Sequence, residues 1–181
     1  MRYFIGLLIT IGLIVLILFL LFSGGSAPKV KPLNLGDYAY SAATAELIID
    51  GPIVAEQNHH EVKIDVSQND VTLTVYQGYQ QTLVRTQSYP NNESSFAVFL
   101  HSLQLNGFDV GNNDITMSDE RGHCAPGERN IYTFNDGSKN LFRFWSTTCG
   151  SGTYKGIIGT TLFLFQQQVP DYAKLTSDTG L

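Results

Sequence analysis

Residues able to do covalent chemistry are few in this chain, and the stretch ERGHCAPGER gathers several of them. His123 stands directly beside Cys124, one of only two cysteines, with Asp119 and Glu120 just upstream. A thiolate with an imidazole base could attack a carbonyl carbon. Adjacent side chains of an extended segment point apart, however, which makes sequence neighbours a poor nucleophile–base pair. Cys149 offers the other reading, a structural bridge. Asp136-Gly137 between two apolar runs predicts a two-residue hairpin turn. With those two residues central, facing positions sum to 273, and so do Cys124 and Cys149. They would then form a non-hydrogen-bonded pair with Cα atoms about 4.5 Å apart, within a disulfide's reach. Closing a loop of 25 residues would stabilise the fold by about 3 kcal/mol. A Cys124–Cys149 disulfide is therefore favoured over a catalytic thiol or two inert thiols, and no catalytic residue is assigned.

Four histidines, His59, His60, His101 and His123, raise the question of a metal. His59 and His60 are neighbours and would face opposite sides of a strand, and no HxH, HExxH or CxxC spacing occurs. Neither a metal nor a cofactor is expected. Asp119 and Glu120 read as a solvated loop, and the enzymatic alternative would combine them with His123. Asn92-Glu93-Ser94 matches a glycosylation sequon, but a helix cap explains Asn92 equally well.

The first residues carry a different message. Phe4–Phe22 is nineteen residues without a charge. As a helix it would span roughly 30 Å, the hydrocarbon thickness of a bilayer, and it exceeds the usual h-region of a signal peptide. Residues 1–25 are thus expected to form a transmembrane signal anchor. The Gly-, Pro- and Ser-rich residues 26–41 would be a flexible tether, and residues 42–181 an extracytoplasmic domain. Arg2 on one side and Lys29 and Lys31 on the other nearly balance the positive-inside count, so the orientation rests on the cysteines. The net charge of −5 comes without any basic cluster, which argues against nucleic acid and against electrostatic docking on anionic lipid.

Periodicity supplies the elements that must position these groups. Thr44–Ile49 and Ile53–Glu56 flank a turn at Asp50-Gly51-Pro52. Val62, Ile64 and Val66 alternate with polar residues, as do Val71, Leu73 and Val75, and Thr82–Tyr89 completes a three-stranded meander. Phe96, Phe99, Leu100 and Leu103 form one helical stripe capped by Asn92, with Gly107 and Phe108 placed for a Schellman closure. The apolar run from Ile157 through Phe165 predicts a last helix, ended by Pro170. The fold class is α+β, a mainly antiparallel sheet in the order ββββαββα with helices packed on one face. With the 273 register, one face of the Asp-Gly hairpin carries Tyr132, Leu141 and Trp145, and the other Ile131, Phe142 and Phe144. Either both faces are covered, or Tyr132, Leu141, Trp145, Phe142 and Phe144 include an interaction surface for a protein or cell-wall partner.

The run VKIDVSQNDVTLTVYQGYQQTLVRTQSYP resembles the opening strands of L,D-transpeptidase catalytic domains. That family's nucleophile lies in a Ser-His-Gly-Cys-x-Arg motif. Arg121-Gly122-His123-Cys124-Ala125-Pro126 transposes the Gly and His and lacks the Arg, so the activity does not carry over. An apolar N-terminus, a sheet and a late disulfide are also similar to type IV pilins, but Gly6 is followed by LLITIG, without the acid that family needs. The anchor, GPIVAEQNHH, WSTTCG and FQQQVPDY together resemble uncharacterised single-pass, membrane-anchored extracytoplasmic proteins of small-genome bacteria. That resemblance implies a location and no activity. The expectation is a binding or assembly module of the cell envelope, inserted through residues 4–22. The alternative is a peptidoglycan-directed envelope enzyme using Asp119, Glu120 and His123.

Overall fold

The structure is a computed structural model and describes residues 33–181 together with positions 12 and 13. The expected anchor, residues 1–25, lies outside the described residues except for those two helical positions, as does the 26–32 part of the tether. Among the described residues no helix is long and apolar enough to cross a membrane.

Six strands form one antiparallel sheet: β1 (Ala43–Asp50), β2 (His60–Ser67), β3 (Asp70–Gln77), β4 (Thr82–Pro90), β5 (Arg129–Asp136) and β6 (Lys139–Thr147). Their spatial order is β4-β3-β2-β1-β5-β6. The first four strands are a meander, and β5 returns along the free side of β1. Between β4 and β5 the chain crosses one sheet face as α1 (Glu93–Leu105), and after β6 it adds α2 (Ile158–Gln166) and the short α3 (Tyr172–Leu175). The class is α+β. Ile53–Glu56 joins no strand; the chain leaves the sheet after Asp50 and returns at His60.

Strict alternation decides which face is core. Ala45, Leu47 and Ile49 of β1 face the helices with Val62, Ile64 and Val66 of β2 and Leu73 and Val75 of β3. From α1 come Phe96, Phe99, Leu100 and Leu103, all buried. Its ends follow local rules. Asn92 Oδ1 accepts from Ser95 N at 2.9 Å. Gly107, at φ +73°, sends its N–H to Gln104 O, while Phe108 N–H reaches Leu103 O, the two bonds of a Schellman motif. In α2 the buried residues are Thr161 and Phe165, whereas Ile157 and Ile158 stay exposed.

Part of the expected tether belongs to the domain. Residues 35–38 form a 3-10 turn whose Leu35, like the following Ala39, is fully covered. The Gln104 side chain satisfies the backbone on both sides of it, accepting from Leu35 N at 3.0 Å and donating to Leu33 O at 2.9 Å.

The hairpin register also differs from the expectation. Asp136 pairs with Lys139, so the central turn residues are Gly137 and Ser138, with Gly137 at φ +57°. Glycine thus takes the first central position, as type II′ turns require, instead of the second. A bulge at Leu141 then adds one residue, and from Phe134↔Phe142 outward facing positions sum to 276. The total shift is odd, which exchanges the two faces of β6 relative to β5. Tyr132, Phe134, Phe142 and Phe144 consequently share the helix side, and Ile131 shares the other side with Trp145.

Candidate functional site

The expected interaction surface is mostly interior. Tyr132 and Phe142 pack against Phe108, Phe144 stacks on Phe142, and Leu141 is half-buried at the bulge. Trp145 is only 1 % exposed although it lies on the helix-free face. The reason is the loop between α1 and β5, which folds over it: Trp145 Nε1 donates to Met117 O at 2.7 Å, and the His123 ring lies 4.9 Å from the indole. Both faces of the hairpin are covered, one by helices and one by a loop.

Cys124 and Cys149 form a disulfide with Cα atoms 5.6 Å apart. The pair is the expected one, but not its placement. Ladder pairing ends at Arg129↔Thr147, and the bond links two turns beyond it. Cys124 occupies a left-handed position at φ +55° in the turn closed by Gly127 N to Cys124 O. Asp119, Glu120 and His123 do not converge. Arg121 binds both carboxylate oxygens of Asp119 and holds that carboxyl down to about 2. Glu120 accepts from Arg143 at 2.7 Å, and His123 rests on Trp145.

A cleft of about 350 Å³ opens where the helix-free face meets the loops at one end of the sheet. Its floor is a row set by strand pairing, since Asp50 lies between Glu61 of β2 and Arg129 of β5. Arg129, 4 % exposed, donates from Nε to Asp50 Oδ2 at 2.7 Å and from Nη2 to Gly51 O at 2.8 Å. The buried His59 takes the other oxygen, its Nε2 lying 3.2 Å from Asp50 Oδ1 and its Nδ1 3.2 Å from Pro52 O. Tyr79 stacks on that imidazole at 4.2 Å, and its hydroxyl donates to Val54 O at 2.7 Å. A charged pair this buried does not guarantee net stability, but removing one partner would strand the other. His59, Asp50 and Arg129 therefore work as one pin that fixes the excursion 51–59 to the start of β5.

With both Asp50 oxygens engaged by charged or imidazole partners, the other carboxylate of the floor is Glu61. Gln81 Nε2 reaches its two oxygens at 3.2 and 3.1 Å, and among the described residues no cation forms an ion pair with it. Burial pushes its carboxyl up, and the nearby Asp50 charge adds to that. Glu120, Arg121 and Gly122 also line the cleft, and the guanidinium of Arg121 is largely in water. The residues lining this cleft include no serine, threonine or cysteine to act as a nucleophile. Among the described residues no three His, Cys, Asp or Glu side chains cluster as a metal would need.

Sequence reading met His59 only as a possible metal ligand and Asp50 only as a turn residue, and it missed Glu61, Tyr79 and Arg129. Alternation alone places Asp50 and Glu61 on the polar side of their strands. Their meeting with Arg129 depends on the β1–β5 pairing, which joins residues 79 positions apart. No protein-family model matches the chain, and no curated protein matches it as a relative.

Proposed function

We propose that this chain is a membrane-anchored, extracytoplasmic binding module of the cell envelope, and that the cleft over Asp50 is where it takes a partner. The carrying observation is the pairing of unlike groups in a braced opening. Among the described residues Glu61 has no cation within ion-pair distance, and the Arg121 guanidinium, bonded to Asp119 through Nε and Nη2, lines the same cleft with Nη1 outside those bonds. Such a cleft suits a polar segment that offers a hydrogen-bond donor to Glu61 and an anionic group to Arg121, as a peptide-bearing protein or cell-wall polymer would. The His59–Asp50–Arg129 pin supplies rigidity, so little ordering would remain to be done on binding. The disulfide supports an oxidising compartment, and the apolar run 4–22 supports the anchor.

The test places a photo-reactive phenylalanine analogue at Tyr79 in the full chain in its native membrane, with the same analogue at Val98 on α1 as control. A discrete adduct to one envelope component is expected from position 79 only, and Glu61→Gln with Arg121→Ala should abolish it. Identical adducts from both positions, or an adduct indifferent to the double substitution, would remove the cleft from the function.

A further inference from the structure

The point where the chain enters the domain is fixed by specific bonds. Gln104, near the C-terminal end of α1, holds the Leu33 carbonyl through Nε2 and accepts from Leu35 N–H through Oε1. Four aliphatic side chains crowd that same end and face water: Leu105 at 72 % exposure, Ile157 at 58 %, and Val110 and Ile158 each at 38 %. They come from two segments laid side by side. Ile157 N–H donates to Asn106 O at 2.9 Å, Lys155 N–H donates to Val110 O at 2.9 Å, and a Cβ on Gly107 would lie 3.1 Å from Gly156 Cα. Scattered apolar side chains on a surface need no explanation, but four around one entry point do.

What covers them follows from the length of the chain before Leu33. Only ten residues, 23–32, separate the apolar run from Leu33. Ten residues span at most about 36 Å, about the width of a domain this size. An anchor in the bilayer therefore limits how far the Leu33 end of the domain can lie from the lipid surface, and makes it the end tied to the bilayer. Lys155, exposed beside the patch, adds the amphipathic side chain that interfacial surfaces favour.

We infer that the end of the domain formed by Leu105, Val110, Ile157 and Ile158 sits in the interfacial layer of the bilayer that residues 4–22 enter, an inference that rests on the membrane-anchored reading above. This contact would fix the orientation of the domain and turn the sheet end that bears the cleft into a defined direction relative to the membrane.

The experiment uses the full chain reconstituted into phosphatidylcholine–phosphatidylglycerol vesicles, with a reporter indole introduced as Leu105→Trp or Ile157→Trp. Leu83→Trp, on the edge strand β4 across the sheet, is the control. The native Trp145 is buried and gives a constant background. Vesicle flotation first reports the anchor. In floated protein, brominated phosphatidylcholine should quench Leu105→Trp and Ile157→Trp strongly and leave Leu83→Trp unaffected. Quenching of the two by aqueous iodide would put the patch in water and overturn the inference while leaving the anchor intact. Protection from both quenchers would mean that protein, such as a second copy, covers the patch, and would overturn it equally. A chain that fails to float would defeat the anchored reading itself, and the patch with it.

Discussion

Over β5 and β6 the helix-free face of the sheet is roofed by a loop, whereas over β1 to β3 it carries half-buried charges. On the roofed side lie Ile131 and Trp145, and the cover is the 112–128 segment, whose only regular element is a single 3-10 turn. It is held down by the Trp145 Nε1 bond to Met117, by Ile53 N–H to Ala125 O, and by the disulfide. On the other side Lys63 lies 2.7 Å from Glu46 and 3.3 Å from Asp65. One half gains stability by removing apolar surface from water, the other by pairing ions that have lost part of theirs. A loop can do a helix's covering work, but only where side-chain anchors and a crosslink replace the ladder it lacks.

The sharpest way to break this contrast is to remove the anchor. Trp145→Ala should cost about 3–5 kcal/mol in denaturant unfolding, as deletion of a large buried aromatic does. Hydrogen exchange should rise first in 112–128 and leave α1 protected. A cost under about 1 kcal/mol would mean that the loop is not held by the indole. Next in size is the crosslink. Cys124→Ser with Cys149→Ser frees a 25-residue separation, and the chain-entropy model predicts a loss of about 3 kcal/mol. Limited proteolysis should then cut within 112–128 before any other described segment. Cleavage elsewhere first would show that the bond clamps the whole domain instead of its roof.

What could be read without coordinates follows the range of the interactions. The cap, the apolar stripe and the Schellman closure of α1 depend on residues within a few positions of one another, and all three were legible. The hairpin existed where Asp136-Gly137 announced it, yet its register turned on Gly137 taking the first turn position and on a bulge at Leu141. An odd slip exchanged every side chain of β6, which is why Tyr132 and Trp145 were grouped and are in fact on opposite faces. The cysteine pair survived that error because any hairpin brings its two ends together. The floor of the cleft was illegible because Asp50 and Arg129 meet only after β5 has crossed back to β1. Asp119, Glu120 and His123 are the opposite case: proximity in sequence raised an enzymatic alternative to the solvated-loop reading, and in the fold each has a separate partner.

The charged half offers the smallest effect, and its sign can be worked out. Burial pushes the Asp65 carboxyl up to about 6 from an ordinary 3.8, with Lys63 opposing the rise and Glu46 adding to it. A carboxyl whose folded value lies above its unfolded one binds its proton more tightly in the native state. Its contribution to stability is complete below about pH 4 and is lost as pH rises through about 6. Asp65→Asn removes that loss and leaves Lys63 its bond to Glu46. The variant should therefore be more stable than the parent at about pH 7.5, by about 1 kcal/mol. That is less than the full shift implies, since the Asp65 side chain is 30 % exposed and Lys63 loses a partner. The two stability curves, measured by urea unfolding, should approach each other as the pH falls through about 6 and converge toward about 4. Parallel curves across that range would show that Asp65 is as well solvated as a free carboxyl. The charged half would then be ordinary surface, and the difference between the two halves would lie in the roof alone.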